Sequence, residues 1–169
     1  PDEFVPMLEE NGRIFELDRY IWHSTAAIVR DLRDKYAFDM PVSVNVSRLD
    51  MFVPNIKDVF ISILDEFDLT TKDIVLEITE SAYTDSDQAV ISVARELHSD
   101  DPGFRLEMDD FGAGYSTLGI LSQLPIDAFK LDMDLVHNYF GYEKGEGMIQ
   151  LIIGIAKNMD VSVTAEGVE

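Results

Sequence analysis

The chain has no cysteine, so neither a disulfide framework nor a thiolate metal site can form. That suits a reducing cytoplasm. Histidine is scarce too: the three copies, His23, His98 and His137, have no paired spacing, which argues against a zinc site. No stretch approaches the roughly 18 to 20 consecutive apolar residues of a membrane span. The acidic segment 1–10 has no signal-peptide pattern. Basic residues are few, 13 Lys and Arg against 33 Asp and Glu, and the formal net charge is -20. Affinity for a phosphate backbone comes mostly from Lys and Arg, so a DNA or RNA polymer is not an expected partner.

What remains is an ordinary globular composition. The 169 residues are 46% hydrophobic and 10% aromatic, enough for one domain with a real core and far from the composition of disorder. Most of the carboxylates are read as soluble surface. The sharper reading is that a few of them converge on divalent cations, through which an anionic substrate binds. Total charge does not choose between these readings, so position must.

Apolar, β-branched runs over 42–46, 74–78, 104–108, 128–131 and 161–164 predict strands. Between them, apolar residues at spacings of three and four predict helices over 55–67, 87–97, 115–124 and 147–159. Segments 4–10 and 14–36 also read as helical, and 141–147 reads as a loop or helix interruption. Alternating strands and helices indicate α/β architecture with a parallel sheet, either doubly wound or a (β/α)₈ barrel. Five strands are too few for an eight-stranded barrel, so the chain is expected to be an excerpt of a larger domain.

The polar residues that close each apolar run are the informative feature. They are Asn45 and Ser47; Glu77, Thr79 and Glu80; Asp109 and Asp110; Lys130 and Asp132; and Glu166 followed by Glu169. In parallel α/β folds ligands bind at the C-terminal ends of the strands, so a shared site is expected. Neighbours on a strand face opposite ways, so Asp109 and Asp110 can share that site only if the chain bends there. Gly112 and Gly114 directly afterwards permit a bend. Asn, Glu and Asp oxygens suit Mg²⁺ or Mn²⁺, and two adjacent aspartates can serve a pair of ions that activates water for phosphoester cleavage. Lys130 would meet a phosphate oxygen or the attacking water; its structural alternative is an ion pair with Asp132 or Glu166. Gly112-x-Gly114 lacks the spacing and the Lys-Ser/Thr of a phosphate-binding loop.

These residues lie in motifs that resemble the EAL domain family. Ser43-Val44-Asn45-Val46-Ser47 resembles its SVNxS strand, and Leu76-Glu77-Ile78-Thr79-Glu80-Ser81 its LEITES strand. Asp109-Asp110-Phe111-Gly112-Ala113-Gly114-Tyr115-Ser116 resembles its DDFGxGYS loop. Leu124-Pro125-Ile126-Asp127 with Lys130-Leu131-Asp132 resembles LPxDxxKxD, and Ala165-Glu166-Gly167-Val168-Glu169 resembles AEGVE. The five occur in the family's order and span nearly the whole chain.

The resemblance implies a (β/α)₈ TIM-like barrel, here an incomplete excerpt covering 1–169 that lacks early strands and the last strand. It implies hydrolysis of cyclic di-GMP to linear pGpG by two-metal activated water, with in-line attack on phosphorus, using Mg²⁺ or Mn²⁺. By motif match, Asn45, Glu77 and Asp109 are implied metal ligands, and Asp110 and Glu166 belong to the second metal or its water. Lys130 assists the water or the phosphate, Glu80 positions the DDFG loop, and Asp132 and Glu169 support the site. A homodimer, and neighbouring GGDEF, PAS or sensor domains, are implied partners. The family's Glu-Ala-Leu segment and its late glutamine lie outside this sequence, so the excerpt alone is expected to be inactive. The alternatives are an inactive EAL domain serving as a cyclic di-GMP receptor, and another metal-dependent barrel enzyme.

Overall fold

The computed structural model describes residues 3–83, 88–99, 103–112, 121–139 and 143–167. Two N-terminal helices, α1 (Phe4–Glu10) and α2 (Ile14–Tyr36), precede five strands: β1 (Val42–Asn45), β2 (Ile74–Thr79), β3 (Arg105–Phe111), β4 (Ala128–Leu131) and β5 (Ser162–Ala165). Helix α3 (Ile56–Glu66) joins β1 to β2, and α4 (Gln88–His98) joins β2 to β3. Two helices, α5 (Met133–Tyr139) and α6 (Glu143–Met159), join β4 to β5.

All strand pairs are parallel, and the order in the sheet is the order in the sequence, β1-β2-β3-β4-β5. A doubly wound sheet reverses its strand order at a switch point, whereas a (β/α)₈ barrel adds each strand beside the last. The winding is therefore that of a partial barrel. Among the described residues no helix is long and apolar enough to cross a membrane.

Strand register separates two faces, because paired residues in neighbouring parallel strands point to the same side of the sheet. One face carries Leu76, Ile78, Leu106, Met108 and Phe129, each fully buried with Val29, Ala94 and Leu97 of the helices in one apolar core. Burying each such side chain contributes about 1.5–3 kcal/mol. Trp22 of α2 lies 4.3 Å from Phe60 of α3 between ring centroids, and its Nε1 donates to the Asn45 carbonyl at 2.8 Å. That bond ties α2 to the end of β1. The opposite face holds the polar strand residues.

Two local expectations change. The predicted interruption over 141–147 does not hold from Glu143 onward, because α6 starts there, four residues before the predicted start at 147. Glycine inside an exposed helix costs only about 1 kcal/mol. Ile152 and Ala156, on the buried side of α6, pack into the core and offset it. Helix α5 was not predicted: seven residues are too few to show a helical period. The predicted helix over 115–124 falls mostly outside the described residues.

Entry into β2 is set by Asp73, 5% exposed. Its Oδ2 accepts from the backbone N of Thr70 at 2.6 Å and from Thr70 Oγ1 at 3.0 Å, while Oδ1 pairs with Arg33 of α2. Burial alone would raise its pKa, but the Arg33 bond and the Thr70 bonds outweigh it and hold the carboxyl below its ordinary value.

A second buried carboxyl behaves oppositely. Asp18 of α2 is 8% exposed and Asp50, in the turn after β1, is fully buried. Asp50 Oδ2 accepts from the backbone N of Ser47 at 2.8 Å, and among the described residues its Oδ1 finds no donor. Burial first, then the bond to Asp50 and the charges of Asp50 and Glu9, push Asp18 from 3.8 up to about 8. A proton on Asp18 supplies the donor the pair needs. The folded chain thus keeps a proton the unfolded chain releases, so this stabilisation is complete below about pH 4 and fades as pH rises through 8. Asp18→Asn supplies an amide donor at every pH. Its thermal-melt advantage over the parent is therefore expected to widen from about pH 5 to about pH 8; parallel curves would refute the shared proton.

Candidate active site

The polar face gathers its chemistry at the C-terminal ends of the strands. Asn45 on β1 is the register partner of Glu77 on β2, which is in turn level with Glu107 on β3. Asp109 lies two residues beyond Glu107, beside Thr79. Lys130 on β4 is level with Thr164 on β5, and Glu166 directly follows the end of β5. Alternation along each strand aims these residues to one side, away from the apolar core.

Lys130 is the hub. Its Nζ lies 3.1 Å from Glu77 Oε2, 3.0 Å from Asp109 Oδ1 and 2.9 Å from Glu166 Oε1. Its expected partner Glu166 is among the three, whereas Asp132 is not. The side chains of Lys130 and Asp109 are each 16% exposed, Glu77 is 11% and Glu166 is 38%, so Glu166 is the least enclosed. Burial pulls the lysine pKa down, but the facing carboxylates of Glu166, Asp109 and Glu77 overcome it and raise the value. Lys130 is a permanent cation across the physiological range.

Asp109 Oδ1 is within ion-pair distance of Nζ but off the angle of a hydrogen bond, so among the described residues it is a buried acceptor with no donor. The contact is Coulombic. A buried carboxylate oxygen without a donor is costly and is where a hard cation gains most. Among the described residues no three carboxylates or histidines stand ready to hold an ion as they are, because Lys130 sits between the oxygens. The donor chemistry, oxygen only and in excess over positive charge, fits Mg²⁺ or Mn²⁺.

The bend that would let adjacent aspartates share one site is present. Asp110 adopts φ +55°, and the β3–β4 register shifts between Met108 and Phe111. Asp110 then feels the site: burial first, then the charges of Asp109, Asp132 and Glu166, raise its pKa against the opposing pull of Lys130. Directly after the bend, the Gly112 N–H donates to Glu80 Oε2 at 3.0 Å, and Glu80 is only 2% exposed. Gly112 has φ +101°, and a Cβ there would overlap Leu135 Cδ1 of α5, so only glycine fits. Residues 113–116 of the same motif, and Glu169, lie outside the described residues.

Asp132 accepts from the backbone N of Leu135 at 3.1 Å, which makes it the cap of α5 rather than a member of the Lys130 cluster. Glu107 was missed by the sequence reading. It shares the inward face, its side chain is 13% exposed, and it pairs with Arg105 Nε at 2.9 Å. Two-residue spacing from Asp109 is the signal that would have found it.

Asn45 and Thr79 line a pocket of about 680 Å³ bounded by α1 and α2. A separate pocket of about 480 Å³, lined by His98, Arg105 and Asp127 among others, lies at the opposite ends of the strands and has none of the site carboxylates.

The EAL domain family model matches residues 1–169. The cyclic di-GMP phosphodiesterase PdeR of Escherichia coli is 31% identical over 169 residues, covering all of this chain and 25% of PdeR. The cyclic di-GMP phosphodiesterase PA2567 of Pseudomonas aeruginosa is 33% identical over 174 residues, covering all of this chain and 28% of PA2567. The chain thus spans about a quarter of the length of these curated relatives. Among solved structures, the PaMucR phosphodiesterase in complex with c-di-GMP matches with a TM-score of 0.89 at 25% identity, covering 100% of this chain and 68% of that one. The EAL enzyme Bd1971 in its cGMP-bound form matches with a TM-score of 0.90 at 26% identity, covering 100% and 46%.

Proposed function

Because this chain belongs to the EAL domain family, we propose that it supplies most of a site that hydrolyses cyclic di-GMP to linear pGpG with Mg²⁺ or Mn²⁺. The observation that carries the proposal is Lys130, held among Glu77, Asp109 and Glu166 at the C-terminal ends of parallel strands. Asn45, Glu77 and Asp109 would hold one ion, and Asp110 and Glu166 the second or its water. When bound, the two ions supply Lewis-acid activation of the attacking water and offset charge on the phosphate and the departing ribose oxygen.

The chain's own groups do the rest. Lys130 keeps its proton, so it orients Glu166 and Asp109 and donates to a phosphate oxygen or to the attacking water. Glu166, the least enclosed of the carboxylates, is placed to take a proton from that water. Glu80 holds the Gly112 backbone and thereby the loop that carries Asp109 and Asp110. Asp132 supports the site by capping α5, and Glu169, outside the described residues, keeps the supporting role that its motif implies. The partners proposed are cyclic di-GMP, a second copy in a homodimer, and neighbouring GGDEF, PAS or sensor domains. The absence of cysteine suits a location in the reducing cytoplasm.

The test is direct. The polypeptide that carries this chain is incubated with cyclic di-GMP and Mn²⁺, and the products are separated by chromatography. Linear pGpG that disappears on chelation is the expected outcome. Tight binding of uncut ligand in excess Mn²⁺ would assign the chain to the receptor reading, and neither cleavage nor binding would end the proposal.

A further inference from the structure

Glu166 poses a positional problem. It stands one residue past β5, its side chain is the most exposed of those on Lys130, and the strand ladder holds it only through its backbone N to Leu131 O at 3.3 Å. Something beyond the sheet must fix the chain direction there. We propose that His137 is a positioning residue for Glu166, acting through the carbonyl of Gly167; the proposal rests on the role given to Glu166 above.

The next residue is where the fixing occurs. Gly167 has φ +67°, and its carbonyl lies 3.0 Å from His137 Nε2. A carbonyl oxygen has no proton, so Nε2 carries the hydrogen and donates it. On the other side of the same residue, a Cβ would collide with Met133 Cγ. Met133 and His137 are four residues apart on α5 and so share one face of that helix. One steric wall and one hydrogen bond from α5 therefore define a single backbone conformation at Gly167.

Helix α5 is itself anchored to the other half of the site. Asp132 caps it through Leu135 N and Val136 N, and the Asp132 N–H bonds Phe111 O at the end of β3, at 3.3 Å. Leu135 occupies the space over Gly112. The helix is thus registered against the strand that carries Asp109, and His137 passes that registration to Gly167. The result is the 2.9 Å contact between Glu166 and Lys130, set by a residue that touches neither.

The test compares the parent polypeptide with His137→Ala and His137→Gln. Hydrogen exchange is read by mass spectrometry without metal, Mn²⁺ affinity by calorimetry, and kcat and KM with cyclic di-GMP. In the alanine variant, exchange across 162–167 should rise about tenfold while the β3 peptide is unchanged. Mn²⁺ affinity should fall about 10- to 100-fold, the size seen when a group that orients a ligand is lost. The parallel loss in kcat should leave KM nearly unchanged, and glutamine, which retains an N–H donor, should restore most of each. Unchanged exchange overturns the proposal, as does faster exchange with unchanged Mn²⁺ affinity or faster exchange across the whole protein. Exchange and Mn²⁺ binding need no turnover, so a parent that never cuts cyclic di-GMP would sink the proposed function and leave this test standing.

Discussion

In the polypeptide that carries this chain, replacing Asp109 with Asn is expected to lower the proposed cyclic di-GMP hydrolysis by at least about a hundredfold, the scale of losing one dedicated electrostatic contact in an enclosed site. The side chain sits where enclosure makes charge matter. It is 16% exposed; among the described residues one cation reaches it, Lys130 Nζ at 3.0 Å, and its Oδ1 has no hydrogen-bond donor. Asparagine keeps the shape and removes the charge, so the fold has little to lose. One of the three carboxylates competing for Lys130 disappears, and the other two, Glu77 and Glu166, keep their contacts. Melting temperature should therefore stay close to the parent's while Mn²⁺ affinity and turnover fall together. A folded Asp109→Asn protein with near-parental rates in excess Mn²⁺ would remove Asp109 from the site.

Replacing Lys130 with Met should produce the largest effect on stability. Methionine fills much of the volume but leaves Glu77, Asp109 and Glu166 facing one another without the ammonium that separates them. Breaking a buried ion pair by removing one partner costs about 3–5 kcal/mol, and the low end applies because Glu166 is 38% exposed. For a chain of this size that is a fall of roughly 10 °C in melting temperature in the presence of chelator. The same oxygens then form an open cation site. Millimolar Mg²⁺ or Mn²⁺ should restore most of the loss, and should raise the parent's melting temperature less because Lys130 already offsets part of the charge. A variant that melts with the parent in chelator would show that the cluster needs no cation. A destabilised variant that divalent ions do not rescue would show that these carboxylates do not bind them. This experiment probes the metal reading without requiring turnover.

The two substitutions separate roles that a single activity measurement would merge. Asp109→Asn tests a charge that acts on a ligand, whereas Lys130→Met tests a charge that holds mutually repelling carboxylates together. Lys130 contributes to both, because its three contacts set the spacing of the oxygens. The Asp18–Asp50 pair is a different case: it lies beside the pocket lined by Asn45, but its proton bears on folding rather than on the chemistry of the strand ends.

The sequence alone determined the α/β class, the five parallel strands and the end of the sheet at which the candidate site residues gather. The reason is periodicity: β-branched runs such as 74–78 are legible without neighbours, and polar residues at each run's end mark one rim of the sheet. It also singled out Asn45, Glu77, Asp109, Lys130 and Glu166, since type and position along a strand fix which face a side chain takes. Only the tertiary structure decided which of them meet. That Lys130 chooses Glu77, Asp109 and Glu166 over Asp132 depends on the register of four strands and on the capping of α5 by Asp132. The His137 bond to Gly167 joins residues 30 apart, and the Glu80 clasp on Gly112, which the motif resemblance implied, gains its actual partner atoms from residues 32 apart. A local pattern cannot encode them, because they arise where separately legible elements pack against one another, and packing is set by the whole chain.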